Sequence, residues 1–216
     1  FSPLFSLGLL AIGLTNFDVL AYRWGIAGIV LMIYAMVKKR SLIPASFDEI
    51  WKMLLLSSLR AITSITLLIG YANISSGIAS TINFMYPVIV ALTMMFVFGE
   101  HKSWVDMGAI AVAIFGVYLL ASGDSLIVEG GNTELGLTCS IISAFSFAAY
   151  YILMKKLRAD KIEVVKFNTW VTMLISIYFI ACALIFEDGL SMIYGTKNWM
   201  YMLGLGLWST MISNFT

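Results

Sequence analysis

The stretch from Ser80 to Glu100 sets a proline, an asparagine and a tyrosine inside a strongly apolar run. Pro87 lacks a backbone N–H, and its ring collides with the carbonyl four residues earlier, that of Asn83. In hydrocarbon an unpaired carbonyl is costly, so such a break is tolerated where it faces protein or water. Ser80, Asn83 and Pro87 fall on one helical face, with Tyr86 beside them. They are expected to line a substrate pathway, with the freed Asn83 carbonyl and the Asn83 and Tyr86 side chains touching the ligand. The competing expectation is a structural kink in which Asn83 bonds across helices. Arg60 is the sharper anomaly. It lies about nine residues into an apolar run that opens near Trp51, roughly 13 Å deep at 1.5 Å per residue. A charge at that depth costs at least about 2.5 kcal/mol on insertion scales, so it calls for a cavity or a partner. Ser57, Thr63 and Ser64 on adjacent turns extend it into a polar stripe. A guanidinium there suits bidentate capture of a substrate carboxylate; the alternative is snorkelling to lipid phosphates.

Catalytic chemistry has little to stand on. The sequence holds one histidine, His101, at the edge of an apolar run. It has no His-Glu-x-x-His motif and no pair of Asp residues inside a span, which disfavours an enzyme. Cys139 and Cys182 sit in apolar runs and read as packing residues. No metal-ligand set, phosphate-binding loop or ATPase cassette is visible, so no cofactor is expected.

The elements that must position these residues are membrane helices. The chain is 61% hydrophobic and 12% charged, with a mean hydropathy of +0.94. That leaves too few charges to coat a surface in water. Runs at about 20–37, 51–71, 77–99, 104–122, 135–155, 165–186 and 198–216 approach the roughly 20 residues needed to cross a bilayer. The fold class expected is all-α, a polytopic helical bundle whose partners are the lipid bilayer and a small-molecule substrate. A net charge of +1 gives no basis for nucleic-acid binding. Trp24, Trp51, Trp104, Trp170 and Trp199 lie near run ends and are expected to anchor at the interface. Gly108 and Gly116 form a small-residue face suited to close helix packing.

Charge sorts the loops. Lys38, Lys39, Arg40 and Lys52, then Lys102, then Lys155 to Lys166 occupy alternate connections, while the intervening ones carry Asp124, Glu129, Glu134, Glu187 and Asp188. The basic connections are expected on the cytoplasmic side of a bacterial inner membrane. A register of about 145 residues lays Phe17–Arg23 over Ile162–Asn168, with opposed loop charge at Asp18 and Glu163. That is the trace an inverted-topology repeat leaves.

Family likeness enters with the order of short motifs. Tyr71-Ala-Asn-Ile-Ser-Ser-Gly-Ile-Ala-Ser80, Tyr86-Pro87, Gly99-Glu100 and Gly108…Gly116-Val-Tyr-Leu-Leu follow one another, with Tyr22-Arg23 and Ala148-Ala-Tyr150 at fitting places. This arrangement resembles the EamA branch of the drug/metabolite transporter superfamily. The resemblance implies ten helices in two inverted five-helix repeats, here 1–123 and 124–216. The chain would then be a fragment, lacking part of helix 1 and helices 9 and 10. It implies a secondary transporter, often an exporter of small metabolites such as amino acids, working by alternating access through a central cavity. Tyr150 would match the family's aromatic on the cavity wall, and Asn214 joins the expected pathway residues. The alternative is a lipid-translocating or accessory membrane subunit.

Overall fold

The computed structural model describes residues 13–99 and 131–186, with single positions at 6, 9, 108, 112, 115, 116 and 202. The expected spans at 104–122 and 198–216 lie outside the described residues apart from those single positions, as do Glu100, His101 and Asn214. Within the described residues the chain is helical: α1 (Asn16–Val37), α2 (Phe47–Asn73), α3 (Ser76–Asn83), α4 (Tyr86–Phe96), α5 (Thr133–Lys156) and α6 (Val164–Phe186), with a 3-10 turn at Ala159–Lys161. Taking α3 and α4 as one segment, five of these are long and apolar enough to cross a membrane.

Polar residues start and stop the helices. Thr15 caps α1: its hydroxyl accepts the Asp18 N–H at 3.2 Å and Asp18 returns a carboxylate oxygen to the Thr15 N–H at 3.3 Å, satisfying two otherwise orphaned donors. The helix closes with Lys39 in the left-handed region (φ 51°) and the Arg40 N–H donating to the Ala35 carbonyl at 2.9 Å. That is the position glycine usually takes. Ser46 starts α2 by accepting the Glu49 N–H at 3.3 Å, so α2 begins four residues before the expected span. Its first turn carries Asp48 and Glu49, which hydropathy excludes but a helix N-terminus favours.

The chain forms two compact units, one of residues 1–61 with 154–216 and the other of residues 62–153. Each takes helices from both expected halves, because compactness follows contact in space and the halves follow sequence register.

In the first unit α1 packs on α6. Ser176 Oγ donates to the Ala21 carbonyl at 3.0 Å, Gly28 meets Met173, and Phe17 stacks on Phe186. One index rises as the other falls, so the pair is antiparallel. At its opposite end Arg40 pairs with Glu163 at 3.3 Å, Lys166 with Glu49 at 2.9 Å, and the Trp170 indole donates to the Leu42 carbonyl at 2.7 Å. Two of the basic connections therefore share one end of this unit. A groove of about 520 Å³ runs beside the helix pair, lined by Ala21, Tyr22, Gly25, Ile26, Ile29, Met173, Ser176, Ile177 and Ile180.

In the second unit α5 presents Gly136, Ser140, Ser143 and Ala144 inward, while Ile141, Ile142 and Phe145 are exposed. Small and hydroxylated residues inside with large apolar ones outside is the pattern of a helix whose solvent is lipid. Gly70 and Gly136 permit the approach: a Cβ at Gly136 would lie 2.6 Å from Ile74 Cγ2, and one at Gly70 2.6 Å from Ser140 Oγ. The glycine face expected at Gly108 and Gly116 lies outside the described residues apart from those two positions and Val112 and Phe115.

Candidate substrate-pathway residues

The proline does not bend one helix; it opens another. α3 ends at Asn83, Phe84 and Met85 turn, and Tyr86 begins α4 with Pro87 second. The first N–H groups of a helix have no intrahelical acceptor, so a residue lacking one loses nothing there. The turn is closed by Phe84 N–H to the Ser80 carbonyl at 2.8 Å and Met85 N–H to the Ile82 carbonyl at 3.1 Å. It also divides the expected common face: Asn83 is 7% exposed, Ser80 half-buried and Pro87 exposed. Two turn residues shift the helical phase between them.

Asn83 bonds across helices. Ser143 Oγ on α5 lies 2.7 Å from Asn83 Oδ1 and 3.3 Å from the Thr63 carbonyl on α2. Thr63, Asn83 and Ser143 are all buried, so three helices converge on one hydroxyl. Leaving a buried polar partner unmatched costs about 1–3 kcal/mol. Ser80 donates to the Tyr71 hydroxyl at 3.1 Å, tying α3 to the end of α2. Tyr86 joins a second cluster one turn along. Its ring stacks on Tyr151 (5.2 Å, 10°) and tilts against Phe147 (4.4 Å, 53°), and Tyr150 meets Tyr151 edge-on at 5.3 Å. Such pairs add about 0.5–1.5 kcal/mol each beyond their area.

The second unit thus assembles Thr63, Ser80, Asn83, Tyr86 and Tyr150 with two members that sequence reasoning missed, Ser143 and Phe147. The signal for Ser143 lay in the spacing of Gly136, Ser140 and Ser143, a stripe of small residues at helical intervals. Phe147 carried no signal distinct from any other lipid-soluble side chain.

Arg60 belongs to the first unit. With α2 beginning at Phe47, it stands thirteen residues in, about 20 Å along the helix from its start. Its guanidinium carbon lies 5.7 Å from the centroid of the Trp24 ring, and that of Arg23 lies 5.4 Å from the same ring. Both are in cation–π range. Trp24 is 3% exposed, so its expected role as an interfacial anchor is corrected: eight residues past the start of α1, it is buried with Arg60 of α2 over its ring. The Trp24 Nε1–H is buried with no hydrogen-bond acceptor among the described residues. One turn before Arg60, buried Ser57 donates to the Leu54 carbonyl at 2.9 Å and lies 3.2 Å from the Tyr178 hydroxyl. Asn214 lies outside the described residues. Among the described residues no cluster of His, Cys, Asp or Glu is fit to hold a metal ion.

The sequence matches the EamA-like transporter family over residues 1–122 and 134–216. No match was found among curated proteins. With the family matched along nearly its whole length and five helices of spanning size and apolarity, the chain belongs to the EamA-like transporter family, polytopic helical membrane proteins of the drug/metabolite transporter superfamily.

Proposed function

We propose that the protein is a secondary transporter that exports small metabolites such as amino acids by alternating access through a central cavity. The observation that carries this reading is the break between α3 and α4. A non-helical turn at Phe84–Met85, beside a buried Asn83 and the Tyr86 ring, is irregular backbone at membrane depth. Such backbone is tolerated where it is enclosed by protein or lines a water-filled path. The basic connections lie on the cytoplasmic side of a bacterial inner membrane in this reading, and a small-molecule gradient or an ion gradient drives movement.

Expressing the protein in a bacterium and profiling metabolites in the medium tests it. One solute class accumulates outside with the wild type, and falls at least about tenfold with Tyr86→Ala or Arg60→Gln at equal membrane abundance. No difference in any solute at equal abundance rejects solute export.

A second reading is favoured by one feature, the α1–α6 groove. Its lining is almost wholly apolar, as contact with a lipid acyl chain requires. Movement of labelled lipid between leaflets, without solute export, selects it.

A further inference from the structure

We infer that residues 38–46, between α1 and α2, form a strap whose fastening to the start of α6 closes one end of the solute path. The inference rests on the transporter reading above. In that reading this end is the cytoplasmic one, and α1 and α6 come from the two repeats that rock against each other.

The fastening follows one stripe of α6. Glu163 immediately precedes the helix, and Lys166 and Trp170 follow at intervals of three and four, so the three share a face. Arg40 Nη1 lies 3.3 Å from Glu163, Lys166 Nζ lies 2.9 Å from Glu49, and the Trp170 indole donates to the Leu42 carbonyl at 2.7 Å. The start of α6 is thus held by the first turn of the strap, by its middle and by the first turn of α2. α1 and α6 cannot part at this end while all three contacts stand.

Glu49 ties the shape of the strap to its grip. The same carboxylate oxygen accepts the Ala45 N–H at 2.8 Å and the Lys166 ammonium at 2.9 Å. The end of the strap is therefore formed by the group that holds α6.

The grip is built to release. Each of the three contacts is polar. Ile43 of the strap is 78% exposed and Phe47, just after it, 82%, so these side chains add no apolar seal. The Arg40 and Glu163 side chains are 60% and 36% exposed, and ion pairs that water reaches are weak. Along the same pair of helices Gly28 faces the flexible thioether of Met173, a seam that can yield.

Spin labels at Ser41→Cys and Val164→Cys read the strap directly, in nanodisc-embedded protein with Cys139 and Cys182 replaced by serine. Dipolar broadening between the labels is expected, and should fall at least about twofold in Lys166→Gln and in Trp170→Phe. Trp170→Phe keeps a ring in place, which guards against a variant that fails to fold. Arg40→Glu should also lose broadening, and adding Glu163→Arg should recover it. Broadening that survives all three single replacements, or that the charge exchange does not recover, overturns the strap. A cleavable bis-maleimide across the same two cysteines then tests closure: export should fall at least about tenfold and return when the linker is cut. Export that continues unchanged across the linker overturns the gate alone. No export of any solute before cross-linking overturns the transport reading.

Discussion

Two helix seams, one in each unit, use glycine differently. In the first unit Gly28 admits the thioether of Met173, and Gly25 admits Ser176 Oγ. Methionine is unbranched and yields easily, and a groove lies alongside. In the second unit Gly136 admits the β-branched Ile74 and the Cβ of Asn73, neither of which has much freedom to move. The same seam carries the Thr63–Ser143–Asn83 contacts. The first seam is compliant and the second fixed. The polar residues most suited to meeting a solute in the second unit are thereby mounted on its stiffer part, which fits the need to hold binding groups in place.

The widest separation should come from alanine at the two glycines. Gly136→Ala forces a methyl onto Ile74 and should cost about 1–3 kcal/mol from crowding, less the roughly 1 kcal/mol alanine gains in a helix. Gly28→Ala should come out near neutral, as Met173 moves aside. Thermal unfolding of the detergent-solubilised protein, followed by fluorescence, measures both. Equal losses would show that the seams do not differ in stiffness.

A smaller effect sharpens the contrast. Asn83→Ala, Ser143→Ala and the double variant should reveal a coupling of about 0.6 kcal/mol, the usual size for a hydrogen bond between membrane helices. A coupling of zero would remove the Asn83–Ser143 bond from the account of the fixed seam. Smallest of all, Lys166→Gln breaks the pair with Glu49 in the first unit and should cost up to about 1 kcal/mol, shrinking as salt is added. A loss that does not respond to salt would assign Lys166 a packing role instead.

The spans were legible because a bilayer demands long apolar runs, and α1, α5 and α6 fall close to where hydropathy sets them. The start of α2 was not, since Asp48 and Glu49 are helix-favouring at an N-terminus yet lower every hydropathy window. Pro87 drew attention to the right segment and suggested the wrong geometry: its ring collides inside a helix but fits the first turn of a new one, and sequence alone leaves both open. Asn83 was legible as a polar group needing a partner, and its partner was not, because Ser143 lies sixty residues away. The meeting of Arg60 with Trp24 was hidden for the same reason. Each is explained by its own span, and the pairing exists only after the helices pack.

The contact between Gly28 and Met173 carries a historical consequence. Under the 145-residue register expected from the sequence, these two positions would be counterparts, and a residue of one copy would touch its own duplicate. In an ancestor assembled from two separate identical chains, such a position would face itself and would have to be occupied alike on both sides. Two methionines there would collide, and two glycines would leave a hole. Joining the copies in one polypeptide releases that restriction, and a knob on one side can settle into a hole on the other. Substitutions at this spot are therefore expected to come in complementary pairs, and Gly28→Met should be tolerated best when Met173 becomes glycine.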